Sequence, residues 1–113
     1  MAFYVYDIDG DPGEVELISS TTAAIGFTAT TYEPITGVYA GMQAKKMLVR
    51  TEVAPINFTL NGTTPTTAAT TNKGMTMNTG EAMIITGINA IRKFKCINYT
   101  ASSGATVKGI PFF

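Results

Sequence analysis

From Lys46 onward, polar and hydrophobic side chains alternate. Lys46, Leu48, Arg50 and Glu52 interleave with Met47, Val49, Thr51 and Val53, a period of two that predicts a half-buried strand. Ala54-Pro55 interrupts it, and a proline cannot donate to a ladder, so a bulge, bend or edge is expected there. Ile56, Phe58 and Leu60 then alternate with Asn57, Thr59 and Asn61, the cleanest strand pattern in the chain. Asn61-Gly62 is a strong turn dipeptide. The run Thr63–Gly74 has almost no large apolar side chain. It predicts an exposed loop, long enough to be functional or disordered rather than a routine connection. Met75–Met77 reads as a short strand, Asn78–Glu81 as a turn, and Ala82–Thr86 as a strand closed by Gly87. In Ile88–Tyr99, apolar residues recur about every three positions, as in a helix. β-branched and aromatic residues dominate, and Asn89 and Asn98 sit poorly in helices, which favours a strand. Ser102-Ser103-Gly104 turns the chain into a last strand, Ala105–Phe113, whose pairing Pro111 should limit near its end.

The first half is less regular. Phe3, Val5 and Ile8 interleave with Tyr4 and Tyr6, and an acidic Gly/Pro turn follows, so residues 1–18 read as a hairpin or an arm that docks on a neighbour. Residues 19–36 are Ser/Thr/Ala-rich, with a strand expected around Ile25–Thr30. Gly37–Lys46 allows one short helix or turn, since good helix formers are interrupted by Gly37 and Gly41. About six to eight short strands at close spacing predict an all-β, single-domain β-sandwich (jelly-roll-like) over residues 1–113, with a possible N-terminal arm.

Composition narrows the function classes. Threonine contributes 19 of 113 residues, a β-branched side chain that gives a pleated surface a polar face without charge. Charged residues make up 14%, and eight basic side chains balance eight acidic ones. A charge-poor, neutral surface favours association, and it argues against nucleic acid, which needs clustered positive charge. Histidine is absent, which removes most general acid–base and triad mechanisms. With a single cysteine, Cys96, there is neither an internal disulfide nor a Cys/His zinc site. No run reaches the roughly 18 apolar residues of a membrane span. Met1–Asp7 lacks the features of a secretory signal, so synthesis in a cytoplasm is expected. Neither catalytic residues nor a cofactor are expected.

Several constellations have bland readings. Asp7, Asp9 and Asp11 match the first three ligand spacings of a calcium loop, but glycine sits at the fourth position and Ile18 at the twelfth, so a turn is the better reading. The sequons at Asn57, Asn61 and Asn98 are expected by chance in a chain so rich in Thr. Cys96 reads as a small buried hydrophobe. Arg92, Lys93 and Lys95 are too few to hold nucleic acid and should pair with acidic residues of the same sheet or of a neighbour. Tyr4, Tyr6, Tyr32 and Tyr39 suit core or interface packing. The apolar end Ile110-Pro111-Phe112-Phe113 either tucks into the core or buries against another subunit.

The stretch Val49-Arg50-Thr51-Glu52-Val53-Ala54-Pro55-Ile56-Asn57-Phe58-Thr59-Leu60-Asn61-Gly62-Thr63-Thr64-Pro65-Thr66 resembles a pattern in small virion proteins of tailed bacteriophages. There an arginine strand leads to an Ala-Pro-Ile strand, a polar-Gly-Thr turn and a Pro-Thr loop. The resemblance continues through Met77, Gly80-Glu81, Ile84-Ile85, Gly87, Ile91, Phe94 and the aromatic end, covering about residues 47–113. It implies a β-sandwich mounted on the particle: a capsid decoration (cement) protein, or else a head-fibre, neck or tail component. It carries no catalytic residues. The partners it implies are the major capsid protein or other virion proteins, with a homo-oligomer, such as a trimer, in the virion. Residue type and position then mark Tyr4, Tyr6, Arg50, Phe112 and Phe113 as contact residues, and removing residues 1–6 or residues 110–113 should weaken assembly more than folding. The rival from the residues themselves is a carbohydrate-binding or adhesive sandwich using the Thr63–Asn72 loop or the Tyr residues.

Overall fold

A computed structural model describes residues 10–113; the Tyr4 and Tyr6 assignments, the arm over residues 1–6 and most of the acidic turn lie outside them. The chain is an all-β sandwich. One antiparallel sheet has the order β1-β7-β2-β5, with β1 Glu16–Ser19, β2 Lys46–Glu52, β5 Ala82–Thr86 and β7 Thr106–Phe112. The second has the order β4-β3-β6, with β3 Ile56–Thr59, β4 Met75–Met77 and β6 Lys95–Asn98. Two short helices, α1 Ala29–Tyr32 and α2 Ile88–Lys93, complete the elements of the described residues. The molecule spans 42 × 34 × 19 Å, a plate whose thinnest dimension suits two stacked sheets.

Strand β2 follows its pattern. Met47, Val49 and Thr51 are buried, whereas Arg50 points to solvent. The interruption at Ala54-Pro55 is the corner where the chain crosses between sheets. Val53 takes a positive φ of 76° there, rare for a β-branched residue, and the buried Thr51 hydroxyl donates to the Ala54 carbonyl at 2.9 Å. Between the sheets Phe27 stacks on Phe94 with ring centroids 5.2 Å apart, and Phe58 lies 6.1 Å from Phe94. Gly109, on the inner face of β7, makes room for this cluster: a Cβ there would stand 2.5 Å from Phe27 Cζ.

Four expectations change. Ile25–Thr30 is not a strand. Ile25 makes an isolated bridge to Cys96, and the following turn coils into α1 because the Glu16 carboxylate accepts from the Thr28 amide and from the Thr28 and Thr31 hydroxyls. Ile88–Tyr99 is not one strand: Ile88–Lys93 is helical and only Lys95–Asn98 pairs in the sheet. The spacing of Ile88, Ile91 and Phe94 was a helical signal, truncated by the strand that follows it. The loop over residues 63–74 is not simply exposed. Pro65 and Thr67 are buried, and the loop lies over the outer face of β3, whose Asn57 is wholly enclosed. Finally, Pro111 does not curtail β7, which stays paired with β2 as far as Phe112. The Pro111 carbonyl accepts from Gly13 at 2.8 Å. A strand residue points its N–H and C=O to the same side, so the missing donor faces the Gly13 segment and spares the ladder to β2.

Residues 10–19 run beside β7 rather than away from it. Pro12 bridges Phe112, and Glu16 pairs with Gly109. The register slips by one between these pairs, leaving Glu14 and Val15 opposite Ile110, a β-bulge.

Candidate functional site

Strand register assigns the sites expected from sequence to definite faces. Arg50 stands on the outer face of the four-stranded sheet, between Lys108 and Ala82. Glu52 lies between the two cations, 3.7 Å from Arg50 and 3.1 Å from Lys108. The next row outward is apolar: Leu48 between Ile110 and Ile84. Beyond it Lys46 lies opposite Phe112. Arg50 and Phe112 therefore share this face, roughly 13 Å apart along the strand direction. Leu17, opposite Lys108, adds a side chain that is 62% exposed. Phe113 belongs elsewhere. It is 6% exposed and stacks on Tyr39 with centroids 4.7 Å apart and planes 8° from parallel. Of the two fates open to the apolar C-terminal end, its last ring takes the chain's own core.

Cys96, Asn57, Asn98 and Arg92 resolve as packing or pairing. Cys96 is fully buried in β6, and desolvation pushes its thiol up to about 12. Asn57 and Asn98 are enclosed and hydrogen-bonded, Asn98 accepting from Ser20 at 2.6 Å. Of the basic cluster, Arg92 pairs with Glu33 at 2.6 Å, at the end of α1 rather than in a sheet. That hydrogen bond holds the Glu33 carboxyl below its usual range. Among the described residues, no three acidic or thiol side chains converge where they could hold a metal ion.

Sequence reasoning missed the most exposed apolar feature. The segment Pro34–Ala44 carries no charged residue. Its ends are tied by Gly41 N–H donating to the Pro34 carbonyl at 2.9 Å and Ala44 N–H donating to the Tyr32 carbonyl at 2.8 Å. Gly37 and Gly41 supply the positive φ angles, 86° and 82°, that close the turns. Tyr39, stacked on Phe113, anchors the loop to the core. With its base held in this way, the tip presents Ile35 and Val38 at 78% and 90% exposure. The available signal was an uncharged Pro/Gly-bounded run with isolated β-branched residues, which also describes an ordinary turn.

Chemically, these surfaces can bind by apolar burial and strand contact. The fold defines the class, an all-β sandwich whose outer surface carries one apolar row and one apolar loop. The chain matches no protein-family model, no curated protein and no solved structure.

Proposed function

We propose that the chain is a structural virion protein, a capsid decoration (cement) protein that stabilises a phage head by contact with the major capsid protein. One observation carries the reading: an uncharged loop, tied at its base, holds Ile35 and Val38 out in water. Exposing such side chains offers nothing to the isolated chain, and burying them on a partner returns about 1.5–3 kcal/mol each. The sequence resemblance over residues 47–113 supplies the nature of that partner. On this reading the protein performs no chemistry, and its residence is the virion. A head-fibre, neck or tail position is the same reading at another place on the particle. A carbohydrate-binding role has less support, because the polar groups of the Thr63–Asn72 loop bond to one another. Thr66 and Thr71 hydroxyls meet at 2.8 Å, and Thr67 donates to Thr70 at 3.2 Å.

The test is co-sedimentation of the purified chain with heads of the phage that encodes it, after the heads are stripped of accessory proteins. Saturable binding that raises the temperature of head disruption is the expected result. Heads that neither bind the chain nor contain it by mass spectrometry would overturn the proposal.

A further inference from the structure

Among the described residues, strand β5 ends the four-stranded sheet with an unprotected edge. Gly87 N–H donates to the Lys45 carbonyl at 2.8 Å and Thr51 N–H to the Glu81 carbonyl at 3.3 Å. Together with the register Lys46↔Thr86 to Arg50↔Ala82, these bonds fix which way each β5 residue faces. Residues 81, 83, 85 and 87 turn their backbone groups to β2. Ala82, Ile84 and Thr86 turn theirs outward, where no segment among the described residues meets them. An open row of donors and acceptors is a template for another strand.

The other edges are managed. β6 is covered by the segment carrying Thr21 and Ile25, which bonds to Asn98 and Cys96. β1 is four residues long, carries Glu16 and follows the bulge at Glu14 and Val15. β4 has three residues. β5 has five, with no charge, proline or bulge.

We propose that β5 pairs antiparallel with β5 of a second copy of this chain, about a two-fold axis at Ile84, joining two four-stranded sheets into one of eight. The spacing is self-complementary: Ile84 meets Ile84 of the second copy, and Ala82 meets Thr86. No like charges are brought opposite one another. The outer apolar row Ile110–Leu48–Ile84 then runs unbroken across the axis, burying Ile84, which is 40% exposed in the single chain. A two-fold, isologous contact closes at a dimer, unlike the three-fold ring that shell proteins often use. This interface goes beyond the capsid reading and does not depend on it, since the isolated chain suffices to test it.

The experiment is sedimentation of the full chain at low and high micromolar concentration, with amide hydrogen exchange read residue by residue. The expected result is a dimer in which the Ile84 amide exchanges on the order of a hundredfold more slowly than in the dilute monomer. Ile84→Lys, which sets two ammonium groups across the axis, should sediment as a monomer with an unaltered circular dichroism spectrum. Thr86→Pro, which deletes an outward N–H, gives a second break should the lysine variant misfold. A monomer at every concentration overturns the proposal. So does an oligomer in which the Ile84 amide exchanges freely, or one that protects Leu17 and Ser19 on the β1 edge as well, the sign of head-to-tail pairing. A dimer that binds no phage head leaves this interface standing and removes only the capsid reading.

Discussion

Asn57 donates from its side-chain nitrogen to the Asn72 side-chain oxygen at 2.8 Å, joining β3 to the far end of a threonine-rich loop. The same nitrogen donates to the Thr66 carbonyl at 2.8 Å, and its oxygen accepts from the Thr76 hydroxyl at 2.7 Å. One enclosed amide thus organises a loop of small polar residues that has little apolar bulk to fold around. Asn57→Ala leaves those partners without their bonds under the loop. The expected cost is about 2–3 kcal/mol, read as a lower urea midpoint. Limited proteolysis should then cut within residues 63–74. Unchanged stability and an uncut loop would mean that the amide does not hold it.

Cys96 gives a pH signature. Burial raises its thiol to about 12 in the folded chain, against roughly 8.5 when unfolded. A group with a raised folded pKa contributes stability that is complete below the unfolded value and is lost as pH climbs toward the folded one. Urea midpoints should therefore hold steady with respect to this group up to about pH 8 and decline beyond it. Cys96→Ala should flatten that decline, leaving the part due to Tyr32, whose phenol is raised by burial and, less, by Glu33. A thiol reagent at pH 8 should label the native chain only at the rate of its opening. Rapid labelling would contradict the burial.

The two terminal rings separate folding from surface contact. Phe113 stacks in the core against Tyr39, whereas Phe112 lies opposite Lys46 on the outer face. Phe113→Ala should cost about 3–4 kcal/mol and loosen the Pro34–Ala44 loop through Tyr39. Phe112→Ala should cost well under half as much. This changes the expectation for removing residues 110–113. Pro111 and Phe113 are buried, so the truncation damages folding at least as much as assembly. Melting temperatures of the two single variants decide the matter.

Where period-two alternation, or an apolar run between turn residues, carried the information, the fold was legible in sequence: β2, β3, β4 and β5 lie where those patterns put them. It was illegible where one side chain reached across the fold. Glu16 caps α1 from 12 residues away, so the end of the expected Ile25–Thr30 strand looked extended by composition and coils by a distant contact. Asn57 looked like the polar face of a half-buried strand because nothing local reveals a loop folding over it. Ile88–Lys93 was hidden by joining a helical period to the β6 strand behind it. Of the contact residues named from sequence, Arg50 and Phe112 share a surface. Phe113 does not, because alternation along β7 turns it inward.

The exposed loop gives the sharpest division between stability and contact. Ile35 and Val38 touch little of their own chain, so replacing both with serine should shift stability by less than about 0.5 kcal/mol, the usual range for surface sites. On a partner that buries both side chains, the same change removes roughly 3–5 kcal/mol of apolar burial. By the tenfold-per-1.4 kcal/mol conversion, affinity for stripped phage heads should then fall at least a hundredfold. Ile84→Lys serves as the contrasting variant, since it alters the β5 edge and leaves this loop intact. If the double serine variant binds heads as well as the parent while unfolding at the same urea concentration, the loop is not the capsid-facing surface. A loss of binding that merely tracks a loss of stability would assign Ile35 and Val38 to the fold instead.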